Sequence, residues 1–273
     1  MGTRPMEPTE AFVVDRLRDD ELRLKQRLLA ERHDDVVATL PGSDIAGRLV
    51  LDLVRTAVVD AGLVDVVGST LRDRATGIEV DVEHWHPVDA AARVVQEDLC
   101  LMERDDAGVW RLTAASVCFP SRWRLSEKIG RSLAEIHDPV PHYDRIQTAT
   151  DRLFDRLDPR RPVKRSNWTL LDDPSLFQPR TEGRKGDGPA FDTDPTTVLR
   201  RVHLRVERQT VRWLAPGAAL FTIRTSVDAL ETLDRAERAA LAATARTVDD
   251  ATVAYKGWQR LLPTVLAALT DGG

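Results

Sequence analysis

With 273 residues, 42% of them hydrophobic and 30% charged, the chain has the make-up of a globular protein that buries a full core, as one large domain or a core with helical additions. A net charge of −5, with arginines interspersed among Asp and Glu rather than massed, gives no reason to expect nucleic acid or an anionic membrane as partner. No apolar run reaches the ~18 residues of a spanning helix. Met1–Glu10 lacks the apolar core of a secretory signal, and Cys100 and Cys118, the only two cysteines, fit no zinc spacing. The expected location is cytoplasmic, with both thiols reduced.

From Glu10 to about His33, Phe12, Val13, Leu17, Leu22, Leu24, Leu28 and Leu29 recur at helical spacing among charges, which predicts an amphipathic helix or a broken pair. Ser43 and Asp44 read as the cap of a second helix, Ile45 to about Ala61, with Gly62 just beyond it. Gly77–His84 alternates apolar and polar residues as a half-buried strand does, and Trp110–Thr113 begins another that runs on to Val117. Ser126–His137 mixes helical periodicity with a glycine and is stopped by Asp138-Pro-Val-Pro. Tyr143–Leu157 resumes as a helix, ended by Asp158-Pro-Arg-Arg-Pro. Arg180–Pro195, with three glycines, two prolines and Phe191 as its only large apolar residue, reads as a surface loop. Val202–Leu214 and Ala219–Val227 form an antiparallel hairpin through Pro216-Gly217, and Ala229–Leu269 is mainly helical. This order of elements is α+β.

The chain has no GxGxxG, Walker loop, HExxH, GxSxG or CxxC. The adjoining carboxylates Glu97-Asp98 and Asp105-Asp106 diverge in either helix or strand and make no dyad. His84 and His86 would share one face of a strand and could hold a metal, although surface histidines flanking Trp85 are the favoured reading. His137 closes a helical segment and precedes Pro139 and Pro141, which stiffen the chain; spacing alone favours a histidine capping the helix, with a fixed metal ligand as the other reading and His142 as a second candidate. Arg205, Glu207 and Gln209 share one strand face, Val206 and Arg208 the other, and Arg224 is placed to lie across the hairpin from that row. Asn167-Trp168 follows a basic cluster, Arg160–Arg165, readable as a binding rim or as an exposed loop.

Several ordered blocks together resemble one family. These are Gln96-Glu-Asp-Leu-Cys-Leu-Met, Leu112-Thr-Ala-Ala-Ser-Val-Cys-Phe-Pro-Ser-Arg-Trp, Lys128-Ile-Gly-Arg-Ser-Leu-Ala-Glu-Ile-His-Asp-Pro-Val-Pro, Arg165-Ser-Asn-Trp, Leu204-Arg-Val-Glu-Arg-Gln-Thr and Phe221-Thr-Ile-Arg-Thr. They resemble the haem-binding α subunit of the haem-dependent oxidative N-demethylases over roughly Asp81–Val227. The resemblance implies a PAS-like domain at 76–228, a five-stranded antiparallel sheet with helices on one face, between helical extensions at 1–75 and 229–273. It implies haem b held by His137 as the iron ligand, with Arg165, Asn167 and Trp168 as further cofactor-binding candidates. It also implies a monooxygenase that acts on a small amine with O2, its electrons coming from an external NADPH-, FMN- and 2Fe–2S-dependent reductase. On that reading Glu207, Arg205, Arg208 and Arg224 are the candidate catalytic residues, stabilising developing negative charge and positioning the amine. A haem-based gas or redox sensor, a family enzyme with a different nitrogen-containing substrate, and a member without turnover are the rival readings.

Overall fold

The computed structural model describes residues 2–138, 140–179 and 194–270. After a two-residue strand, β1 (Arg4–Pro5), the amphipathic stretch forms α1 (Arg18–Glu31) and a short α2 (His33–Val36), the broken pair that its spacing allows. Strand β2 (Val37–Thr39) leads into α3 (Asp44–Asp60), and Gly62 follows it at φ 68°, a conformation in which a helix often ends. Ser43 holds the cap position, but its hydroxyl donates to the Leu40 carbonyl (2.7 Å) and makes no cap bond to the first turn.

Three short strands, β3 (Val64–Val67), β4 (Thr70–Asp73) and β5 (Glu79–Asp81), form a separate antiparallel sheet packed under α3. Strand β5 is shorter than the alternation over Gly77–His84 predicts. The chain leaves the strand at Asp81, so His84 and His86 share no strand face. Instead His86 caps α4 (Pro87–Ala92): its Nδ1 accepts the Val88 N–H (3.2 Å), and its Nε2 lies 3.2 Å from the Ser43 hydroxyl.

The main sheet contains β6 (Asp98–Arg104) and β7 (Trp110–Ser116), then, beyond α5 (Leu133–His137) and α6 (Tyr143–Asp155), β8 (Val163–Leu171). It is completed, after α7 (Pro195–Arg201), by the hairpin β9 (His203–Ala215) and β10 (Ala218–Ala229). Helices α8 (Arg235–Ala245), α9 (Asp250–Lys256) and α10 (Leu261–Thr270) close the chain. The expected hairpin and C-terminal helices are present; the loop expected at Arg180–Pro195 lies outside the described residues up to position 193, as does Pro139. Among the described residues no helix is long and apolar enough to cross a membrane.

The five antiparallel strands expected within 76–228 are present as β8-β9-β10-β6-β7, and β1 and β2 from the N-terminal segment extend them at the two edges; the expectation of helices on one face only is corrected. The strand order is β1-β8-β9-β10-β6-β7-β2, seven strands paired antiparallel, and helices cover both faces. The cause is visible in β6, which is apolar in both directions. Leu99 and Leu101 pack with Val50, Val54 and Val88 of α3 and α4, whereas Cys100 and Met102 pack on the opposite side with Leu133 and Phe154 of α5 and α6. A strand buried on both sides needs cover on both. Cys100 and Cys118 are free and buried, and burial pushes both thiols up, that of Cys118 to about 12.

Helix α1 is fastened to the α3–α4 side by buried polar contacts rather than by apolar packing alone. Arg18 donates to Asp73 (2.5 Å), Lys25 to the carbonyls of Val95 (2.9 Å) and Glu97 (2.6 Å), and Gln96 to Glu21 (2.7 Å). Glu97, fully buried, accepts the Val13 N–H (2.7 Å) and has its carboxyl pushed up to about 7 by burial. Unfolded, the same group ionises near its ordinary 4.5. Between those values the folded chain holds the extra proton, so stability falls as pH rises from 4.5 through 7. Glu97→Gln is expected to flatten that slope and to leave the variant more stable than wild type at pH 8 by on the order of 1–3 kcal/mol. Urea unfolding at pH 5 and pH 8 measures it, and equal pH slopes for the two proteins would refute it.

Candidate functional site

Helix α5 is one turn long and owes its start to a capping box, in which Ser132 Oγ accepts the Glu135 N–H (3.3 Å) and Glu135 Oε2 accepts the Ser132 N–H (2.7 Å). At its last residue, His137 Nδ1 lies 2.8 Å from the Leu133 carbonyl one turn back. A carbonyl only accepts, so Nδ1 carries the hydrogen and Nε2 keeps its lone pair. Burial pushes the His137 imidazole down to about 4, with the positive charges of Arg165 and Lys128 adding to it and the Leu133 bond opposing it. Lys128 itself donates to the Ile136 carbonyl. The ring is therefore neutral at physiological pH with its tautomer fixed, and Nε2 makes no hydrogen bond among the described residues. These are the properties of a metal-ligating histidine. A single such imidazole suffices for an iron whose equatorial nitrogens belong to a porphyrin, so the residue fits the ligand role that the resemblance implies.

Strand alternation decides what shares its side of the sheet. Register pairs Arg165 with Gln209, Asn167 with Glu207, and Val163 with Val211; Val163 and Val211 pack in the same cluster as Leu133 and Ile136 of α5. The odd-numbered residues of β8 and β9 thus face the α5–α6 side. There they form a connected polar row: Arg165 Nε donates to Gln209 Oε1 (2.7 Å), Gln209 Nε2 to Glu207 Oε2 (3.2 Å), and Asn167 Nδ2 approaches the same oxygen at 3.5 Å. Arg205, wholly buried, lies 3.5 Å from Glu207 Oε1 and donates to the carbonyls of Phe119 (2.5 Å) and Leu176 (3.1 Å). It clamps two loops and backs the Glu207 carboxylate, whose side chain keeps 14% of its exposure. Burial pushes the Arg165 guanidinium down, while Tyr143 and Glu207 favour its charge.

The other expected site residues are placed elsewhere. Arg208 and Arg224 pair with each other across the hairpin, on the opposite face from Glu207. Arg224 is held by Asp15 (2.6 Å) and Glu21 (3.0 Å), and Arg208 donates to the Glu10 carbonyl (2.6 Å). Trp168 also points to that far face, where it stacks on Trp258 (centroids 5.1 Å) in the core of the C-terminal helices. The basic cluster Arg160–Arg165, readable as a binding rim or an exposed loop, runs into strand β8 at Val163, so Arg165 and Asn167 fall on one face and Trp168 on the other. His142 sits at φ 62° with Nε2 3.2 Å from Asp249. Among the described residues no group of three or more His, Cys, Asp or Glu stands together as a metal site.

Tyr143 escapes the sequence reading. Its ring stacks on His137 with centroids 4.5 Å apart and planes 7° from parallel. Its only sequence signal is its position as the first residue of a predicted helix. A surface depression of about 610 Å3 opens outside the α5–α6 elbow, lined by Arg131, Glu135, Pro141, Tyr143 and Gln147 among others. His137 is not among the residues of its wall. The sequence model of one family, haem-dependent oxidative N-demethylase, alpha subunit-like, matches residues 2–266, well beyond the stretch over which its motifs are legible by eye, and the chain belongs to that family.

Proposed function

We propose that the chain binds haem b through His137 Nε2 and oxidises a small amine, removing an N-methyl group as formaldehyde. In that reaction one N-methylamine, one O2, two electrons and two protons give the demethylated amine, one formaldehyde and one water. The electrons come from a separate reductase. The observation that carries this reading is the neutral His137, its Nε2 available, on the same side of the sheet as the row Arg165–Gln209–Glu207–Asn167. Family membership, whose name is haem-dependent and oxidative, supports it.

Haem, when bound, supplies the redox centre at which O2 is reduced. The chain supplies the rest. Leu133 fixes the hydrogen on Nδ1, which orients the ligand nitrogen. Arg165, the cation of the sheet whose charge acts on His137, suits a carboxylate of the cofactor. Glu207, which accepts from Gln209 and Asn167 and lies beside the Arg205 guanidinium, is the carboxylate of this row that can take the N–H of a protonated amine. Arg205 acts as a buried support for it. Arg208, Arg224 and Trp168 are assigned structural roles on the far face.

The test supplies the haem-loaded chain with reducing equivalents and O2 and measures formaldehyde across a panel of methylated amines. Amine-dependent formaldehyde is expected. Glu207→Gln is expected to lower kcat/KM for cationic amines by about 10–100-fold, the loss of one charge-assisted hydrogen bond, with the haem spectrum unchanged. Haem-loaded protein that turns over no amine in the panel would refute the enzymatic reading and favour a gas or redox sensor.

A further inference from the structure

The elbow between α5 and α6 turns the chain back on itself. The Val140 N–H donates to the His137 carbonyl (2.7 Å) and the Tyr143 N–H to the Val140 carbonyl (3.3 Å). His142, between them and α6, is held in the left-handed region at φ 62°, ψ 16°, where a side chain other than glycine carries strain. The strained turn delivers the next residue, Tyr143, on to the imidazole of His137, with 7% of the tyrosine exposed.

We infer that Tyr143 is the positioning residue of His137, fixing the plane of its imidazole for the haem proposed above; the inference rests on that reading. The hydrogen bond from Nδ1 to Leu133 sets the direction of the ring edge but leaves the ring free to rock about the line of that bond. A flat aromatic ring held parallel at 4.5 Å removes the rocking. The two contacts act at right angles, one in the ring plane and one on its face. Because the stack covers the face and not the Nε2 edge, it leaves the coordinating lone pair available. With the plane of the imidazole fixed, a haem iron held by His137 would meet one ligand orientation rather than a spread of them. Bulk alone would not do this, since the effect requires planarity.

Two volume-filling substitutions separate the contributions. Tyr143→Phe keeps the planar face, whereas Tyr143→Leu fills the space without one. Each purified variant is loaded with haem, and the ferric cyanide complex is examined by electron paramagnetic resonance. Haem dissociation is followed by transfer to an excess of a haem-scavenging apoprotein. Tyr143→Phe is expected to match wild type in line width and, within about twofold, in dissociation rate. Tyr143→Leu is expected to broaden the low-spin signal and to speed dissociation by on the order of 3–10-fold, the worth of one aromatic stack. In the haem-free chain, the ring-proton resonances of His137 should lie upfield in wild type and in Tyr143→Phe, and move downfield in Tyr143→Leu. A Leu variant as sharp and as slow to lose haem as wild type, or a Phe variant as disturbed as the Leu variant, would overturn the positioning role while leaving the haem site intact. A wild-type chain that takes up no haem overturns the proposed function, and this inference with it.

Discussion

His137→Gly is expected to abolish tight haem binding, with an affinity loss greater than the ~10–100-fold typical of disturbing a partner of a metal ligand, and added imidazole is expected to restore part of it. The absorption spectrum reads this directly. Wild type should show a Soret band that shifts with CO, and the variant should lack it until imidazole is supplied. An unchanged haem load and spectrum in the variant would end the assignment. The pH dependence carries a second signature of the same site. Metal and proton compete for Nε2, and an imidazole held down at about 4 loses that competition only in acid. Haem retention should therefore be flat from pH 8 to about 5 and weaken towards 4, below the 6.5 of an ordinary histidine. Retention already falling near pH 6.5 would mean that the ligand is a solvated histidine elsewhere.

Arg224→Met is expected to cost about 3–5 kcal/mol of stability, the usual consequence of removing one partner from a buried ion pair. Arg224 is 5% exposed and faces Glu21, itself 4% exposed, together with Asp15 at the start of α1. Burial already pushes the Glu21 carboxyl up, against the pull of Gln96 and Arg224. Without the guanidinium, Glu21 must take a proton or draw α1 away from the sheet. The double variant Arg224→Met/Glu21→Gln should recover part of the loss, because it leaves no lone charge behind. Denaturant unfolding supplies the stabilities, and haem content per folded molecule is the control. Since Arg224 lies on the face away from His137, the folded fraction should load haem normally. A variant of full stability with a changed haem spectrum would return Arg224 to the site.

Much of this was legible in the chain, and where it was not the reasons are physical. The β9–β10 hairpin announced itself through two long strand-like segments around Pro216-Gly217, and α3 through the glycine beyond its end. Strands β3 and β4, four residues each, are too short for alternation to register. Strand β6 is apolar on both sides and has no alternation to show. In the site, period two correctly grouped Arg205, Glu207 and Gln209 and set Arg208 apart. It could not place Arg224, because cross-strand register depends on the turn, and one residue of shift exchanges the faces. Trp168 adjoins Asn167 in the sequence, and only the strand conformation of β8, which no alternation of apolar and polar residues announces, puts the two on opposite faces. Tyr143 stacks on a residue six positions away across a strained turn, a contact that neither spacing nor composition encodes.

Strand β9 gives alternate residues to two different tasks, Arg205, Glu207 and Gln209 towards His137 and Leu204, Val206 and Arg208 towards the helices behind. On the proposed reading, chemistry falls mainly to one column of these thirteen residues and packing to the other, with Arg205 serving both. On that reading, point changes at Glu207 or Gln209 would retune what the protein accepts while the other column keeps it folded, which would open new substrate ranges to gradual exploration. Insertions and deletions have no such freedom. Losing one residue from the middle of β9 would send each column to the other's task, so lineages built on this strand are expected to diverge by substitution within it and by length only outside it.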